Sequence, residues 1–293
     1  MRTVLQIAQD ALFDTGLTPP TSLESATDFV QNQIKAILYN EARALRRMRN
    51  WKTQKRIHTF TTTADRDAYP LPEDFYSMVG DTAYDRSASL RLQNSISDPR
   101  WNDRLYGYQL VGSPYGYRVF GPDINPSTDG GQFKLNPPAA STGITIGFEY
   151  RTANLFLPPN WTEGESIGST GIYRNANGNI YVSASTGTCG SDIPSHTTGT
   201  VDDGTVDWTY VTAPYETIRS DEDLSIFDDE VLVLGLMWRW KKSKGQDFSQ
   251  ERLDWEEAKR TAPSRWHGAY RGKLSRVSRQ QRRYTAPDGG WSF

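Results

Sequence analysis

Apolar residues recur at helical spacing near both ends of the chain and at strand spacing between them. Val4, Leu5, Ala8, Ala11 and Leu12 predict a first helix, closed by Gly16 and Pro19-Pro20. After Ser22 a second, stronger helix begins. Phe29, Val30, Ile34, Ile37, Leu38, Ala42, Leu45 and Met48 form one apolar stripe, and Gln31, Lys35, Glu41, Arg43, Arg46 and Arg47 fall on the other face. At 1.5 Å per residue this helix would be roughly 40 Å long. A helix of that length with one stripe packs in a bundle or along a neighbouring subunit. Ile34, Leu38 and Leu45, with Trp238 and Trp240 from a later helix, are therefore the candidates for helix packing between subunits.

At Trp51 the period changes. Ile57–Thr63 reads as a strand, Ala64–Asp67 as a turn and Ala68–Pro72 as an extended segment. Short strands between Gly, Pro and Asn turns then continue to about residue 155, among them Tyr117–Phe120, Gln132–Leu135 and Ile144–Tyr150. No helical crossovers separate them, so the pairing should be antiparallel. Pro158-Pro159 marks a shift to Gly, Ser, Thr and Asn over 160–212. There Asn177-Gly178 and Asp203-Gly204 sit between alternating residues, a strong hairpin signal. These features predict a compact β-module over 158–213, inserted into a parent domain of 1–157 and 214–263.

Helix returns at Asp228, where Asp228, Asp229 and Glu230 suit a positive helix N-terminus. Val231–Trp240 is apolar nearly all round and predicts a buried helix closed by Gly245. Phe248–Arg260 predicts a helix packed back on it and ended by Pro263, leaving 264–293 as an extended basic arm. The fold class expected is α+β: an antiparallel helical bundle with a small β-sheet region, an inserted all-β module and an extended C-terminal arm.

Charge sharpens this picture. The 293 residues carry a net charge of −2, yet Lys259–Arg283 holds nine Lys or Arg and no acid. A terminal segment so polarised is suited to docking on a larger partner. Its tip, Trp291-Ser292-Phe293, adds apolar anchors of the kind found at protein hot spots. Protein docking is thus favoured over phosphate tracking, although Trp266, Tyr270 and Tyr284 interleave with the basic residues as stacking groups would. The 9 Trp, 15 Tyr and 11 Phe argue against bulk disorder. Cys189 is the single cysteine, which excludes an intrachain disulfide and a multi-cysteine metal site. The N-terminus lacks a signal-peptide pattern and no apolar run is long enough to span a membrane. Synthesis in the cytosol is the expectation.

Candidate chemistry is sparse. There is no G-x-S-x-G, P-loop, H-E-x-x-H or G-x-G-x-x-G. His58, His196 and His267 lie in separate segments, and the adjacency of Ser195 and His196 makes no triad. Glu163, Glu165, Asp202, Asp203 and Asp207 read as turn and solvated acids rather than a glycosidase pair. Neither catalytic residues, a metal nor a cofactor are expected. Tyr173, Tyr181, Trp208 and Tyr210 are candidates for glycan or protein contact on the insert, with packing inside the module as the competing reading.

Two stretches resemble a known family. Trp51 followed by a Thr-rich strand and then Tyr69-Pro70-Leu71-Pro72-Glu73-Asp74-Phe75 resembles the Y-x-L-P-x-D-F signature of head-to-tail adaptor proteins of short-tailed bacteriophages. Asp221–Leu224, Val231-Leu232 through Trp238-Arg239-Trp240, and Gly245–Phe248 resemble that family's closing helical pair. The insert resembles small β-modules of phage tail and capsid-decorating proteins at Tyr181, Gly187-Thr188, Pro194, Gly199, Asp203-Gly204, Trp208 and Tyr210. It departs at Gly187-Thr188-Cys189-Gly190, where such modules carry Gly-Thr-Thr-Gly.

The resemblance implies a non-enzymatic virion protein at the head–tail junction. It implies a homo-oligomeric ring, typically of twelve copies, beneath the portal protein ring. That ring would extend the channel through which packaged DNA passes without sequence-specific binding, and would offer a platform to tail nozzle or fibre proteins. The arm residues Arg276, Arg279, Arg282, Arg283, Tyr284, Trp291 and Phe293 would dock on the portal, with no membrane involved. The rival reading is a carbohydrate-binding or glycan-cleaving tail protein that uses the insert. A third, nucleic-acid binding, would centre on Arg271 and the arm arginines.

Overall fold

The computed structural model describes residues 1–25, 28–48, 51–93, 101–102, 115–121 and 131–266. The chain is α+β and richer in sheet than the sequence suggests. Four helices are described: α1 (Val4–Asp14), α2 (Phe29–Met48), α3 (Asp229–Ser243) and α4 (Ser249–Trp266). Thr3 caps α1 in a reciprocal box with Gln6, and Asp228 caps α3 by accepting from the amides of Glu230 and Val231. Helix α2 begins at Phe29 rather than after Ser22, so its 20 residues span about 30 Å. Helix α4 continues through Pro263 to Trp266. A proline removes one amide donor, and the ladder can resume beyond it near a helix end.

Helix α3 is central to the helical part, packing against α1, α2 and α4. Its apolar residues Val231, Leu232, Leu236, Trp238 and Trp240 share one core with Ile7, Leu12, Ile34, Leu38, Leu45, Phe227 and Trp255.

Every ladder between named strands is antiparallel, as the absence of crossovers predicts. A five-stranded sheet joins β1 (Lys55–Thr61), β3 (Phe75–Met78), β4 (Tyr84–Asp85), β5 (Leu90–Arg91) and β8 (Thr145–Thr152), with β8 central and β1 at one edge. A three-stranded sheet of β2 (Ala68–Pro70), β6 (Gly116–Phe120) and β7 (Gln132–Asn136) packs on it. Their shared core stacks Tyr117 on Phe133 and Phe133 on Phe148, with centroids 5.0 and 5.1 Å apart.

Strand β9 (Phe156–Leu157) pairs with β16 (Leu224–Ser225) and ties the sheets to the start of α3. The stretch between them contains a pair of two-residue strands, β10 (Ser166–Ile167) and β13 (Gly187–Thr188). It also contains a four-stranded sheet of β11 (Tyr173–Ala176), β12 (Asn179–Ser183), β15 (Val206–Tyr210) and β14 (Thr200–Asp203). Asn177 and Gly178 close the β11–β12 hairpin with φ of 53° and 87°, as its sequence demands. The second hairpin closes one residue later than expected, at Gly204-Thr205 between Asp203 and Val206.

Candidate interaction surfaces

The residues singled out for subunit packing are used inside the chain. Ile34, Leu38, Leu45, Trp238 and Trp240 are all buried in the helical core. The stripe on α2 meets α3 of the same molecule, which corrects their assignment to an interface. The apolar side chains left in solvent are different ones: Phe29, Val30 and Met48 at the ends of α2, Phe13 on α1, Leu253 on α4, and Ile57 and Leu90 on the sheet.

Glu41, expected on the solvated face, is wholly buried. It lies three residues after Leu38 and seven after Ile34, on the apolar stripe itself. Its carboxylate accepts from the Arg239 guanidinium and from Trp255 Nε1 at 2.8 Å. Burial pushes its pKa above the ordinary carboxylate range, against the opposing pull of Arg239. Gly235 makes room for it: a Cβ there would stand 2.7 Å from Glu41 Cγ. Arg46, also expected in solvent, is buried, paired with Glu216 and stacked over Tyr76 at 4.5 Å.

A second buried carboxylate, Asp223, accepts from Tyr215 Oη at 2.9 Å and from the amides of Arg219 and Ser220. Burial raises its pKa, and raises that of Tyr215 beside it. Both oxygens of each carboxylate accept from partners in the chain, an arrangement that holds elements together.

On the 158–213 stretch the structure separates the four aromatic candidates. Tyr181 and Trp208 are 0% exposed and form a core with Ile167, Ala176, Cys189 and Val206. Their faces are covered by neighbours, which corrects their assignment as contact residues. Tyr173 and Tyr210 are half-buried. Tyr173 lies under Arg219, whose guanidinium is 4.5 Å from the ring centroid, and against Tyr215 at 5.5 Å. His196 packs on Tyr181 at 4.9 Å. Arg174 and Glu165 form an ion pair within the stretch, and Asp203 accepts from Trp161 Nε1 at 2.9 Å.

A cleft of about 470 Å³ lies between β1 and this stretch, bounded by Arg56, Ile57, Asp74, Tyr150, Asn177 and Tyr210. Asp74 accepts from Tyr150 Oη at 2.8 Å and Thr152 Oγ1 at 2.6 Å. Burial holds the His58 imidazole below its ordinary pKa, against the opposing pull of Asp74. Among the described residues no group of three or more His, Cys, Asp or Glu could hold a metal ion, and no helix is long and apolar enough to cross a membrane. The arm residues Arg276, Arg279, Arg282, Arg283, Tyr284, Trp291 and Phe293 lie outside the described residues.

Comparison with known proteins bears on the whole chain. The family model described as SU10 adaptor protein matches residues 2–290. No curated protein matches.

Proposed function

The chain belongs to the SU10 adaptor protein family, structural adaptors of bacteriophage virions, and from that premise we propose that it forms a ring, of about twelve copies, joining the capsid portal to the tail. The observation that carries this reading is the family match across nearly the full length. In the proposed assembly, residues 1–157 and 214–263 form the adaptor body and 158–213 an inserted β-module. The basic arm, 264–293, docks on the portal, and the ring continues the channel for packaged DNA at the head–tail junction.

Physical features of the body and the insert support this reading. The buried carboxylates are spent on internal bonds, which suits a load-bearing role rather than catalysis. Contacts between copies would use the exposed Phe13, Phe29, Val30, Met48 and Leu253, because the interior of the helical stripe is already covered. In a cyclic ring the contacts are heterologous and repeat until closure. The inserted module has its own core and would meet tail nozzle or fibre proteins through its exposed Ile193 and Val201, since Tyr173 is packed against the body.

Light scattering on the protein alone and mixed with its cognate portal ring tests the proposal. A complex carrying about a dozen copies per portal is expected, and removing Ser275–Phe293 should abolish it while the far-UV circular dichroism is retained. No complex at any ratio would overturn the portal reading. A truncated protein that docks at full affinity would exclude the arm as the anchor.

A further inference from the structure

Among the described residues strand β1 is open along one side: its ladder runs to β8 alone, in a register that places Lys55 opposite Arg151 and Thr61 opposite Thr145. The Thr62 amide donates to Ile144 carbonyl at 2.8 Å, which sets the parity of the ladder. The even residues Arg56, His58 and Phe60 bond inward to β8, so the amides and carbonyls of Ile57, Thr59 and Thr61 point away from it. No hydrogen bond to those outward groups occurs among the described residues.

The other sheet edges are short, blocked or charged. Strand β5 has two residues, β3 has four with a register shift between Phe75 and Ser77, and β6 carries Arg118 and is bridged to Gln93 at Gly116. Strand β2 ends in Pro70, β11 is bonded to Pro159 and Trp161, and β14 carries Asp202 and Asp203. Strand β1 has seven residues, with no charge, proline or bulge from Ile57 to Thr61. An edge so unguarded is a template for another strand. It borders the 470 Å³ cleft, whose lining also includes residues of the 158–213 stretch, Glu73 and Asp74, with Arg56 the one Lys or Arg among them. Ile57, at the rim, is 64% exposed.

We propose that the C-terminal segment 267–293 of this chain adds to the free edge of β1 as an extended strand, with its basic side chains over Glu73 and Asp74. The segment carries Arg271, Lys273, Arg276, Arg279, Arg282 and Arg283 against one acid, Asp288. At about 3.3 Å per extended residue it reaches about 90 Å from Trp266. A folded chain of this length has a radius of gyration of about 19 Å, so the edge is in reach. Main-chain bonds would provide the affinity and the alternating side chains the register. This goes beyond the portal reading and shares only the arm with it. Where both hold, the portal and the β1 edge compete for one segment, and free subunits keep their open strand covered until they dock.

Amide hydrogen exchange on the full chain, resolved by residue, tests it. The Ile57 and Thr59 amides should be protected about 10-fold or more. Reversing Arg279, Arg282 and Arg283 to Glu should remove that protection, while Arg56, His58 and Phe60, bonded to β8, keep theirs as an internal control. A photo-cross-linking residue at position 59 should capture peptides from 267–293. Free exchange at Ile57 and Thr59 in the unaltered chain would overturn the proposal. So would protection indifferent to the charge reversal, or cross-links that fall elsewhere. Portal binding is not read in this experiment, so its failure leaves the result intact.

Discussion

Gly235→Ala should destabilise this protein although it sits inside a helix. In an exposed helix interior the change to alanine gains about 1 kcal/mol, because glycine loses more backbone entropy on folding. At position 235 the added methyl would stand 2.7 Å from Cγ, 2.8 Å from Cδ and 2.9 Å from Oε1 of Glu41. Glu41 cannot move aside cheaply. It is fully buried, and its carboxylate is held by Arg239 and Trp255.

Shifting it weakens charge-assisted bonds that contribute about 1.5–3 kcal/mol each, and overpacking costs a further 1–3 kcal/mol or so. After subtracting the propensity gain, a net loss of about 2–4 kcal/mol remains. For a chain of this size that lowers the melting midpoint by roughly 3–7 °C. Calorimetry or denaturant titration measures it, and a double-mutant cycle identifies the cause. With Glu41→Ala already present, Gly235→Ala should be neutral or stabilising. A single Gly235→Ala variant as stable as the parent, or a cycle with no coupling, would refute the steric argument.

Two further outcomes follow from the same interior. Glu41 has its pKa raised by burial in the folded state, so the native chain binds this proton more tightly than the unfolded one. Its contribution to stability is therefore greatest at low pH and falls as pH rises from the unfolded carboxylate value through the folded one. Glu41→Gln should flatten that decline, measured as unfolding free energy against pH; an unchanged slope would contradict it. Trp208→Ala empties a site with no solvent exposure and should cost about 3–5 kcal/mol. Limited proteolysis should then show cleavage concentrated in 158–213, whereas a variant with undiminished protease resistance would mean the core there does not depend on this ring.

Much of the architecture is legible because long elements repeat their signal. The α1, α3 and β8 stretches each carry several turns or alternations, and the Asn177-Gly178 hairpin carries its own turn chemistry. The two-residue strands β4, β5, β9, β10, β13 and β16 leave no period to read; β4 forms beside the long β8, but β5 pairs with β4, β9 with β16 and β10 with β13, short partners that tertiary folding alone brings together. The start of α2 was legible only to within a turn or two, since Leu23 is buried in the helical core from outside the helix, its amide held by Asp221.

Interfaces proved harder to read than elements. An apolar stripe on α2 says that something covers it, and does not say whether the cover is α3 of the same chain or another molecule. Residue type likewise misplaces Glu41 and Arg46. Position would have served better, since Glu41 falls on the stripe, but a carboxylate there is tolerated only because Arg239, Trp255 and Gly235 meet it from elements about 200 residues away. In the same way, alternation in β12 and β15 marks Tyr181 and Trp208 as facing one side without saying whether that side is solvent.

The amides of Leu155 and Phe156 both donate to the Tyr215 carbonyl, at 3.1 and 3.3 Å, on either side of the 158–213 excursion. The chain thus leaves and returns at the same spot, and that junction has a mechanical meaning. Tension or compression passing from β8 toward α3 crosses directly at Leu155 and Tyr215, through short backbone contacts, and the intervening loop of structure sits in parallel with the load path rather than in series. Part of the strain on the body thereby bypasses the four-stranded sheet, which stays coupled to the frame through Ile180 and Tyr173 in the helical core.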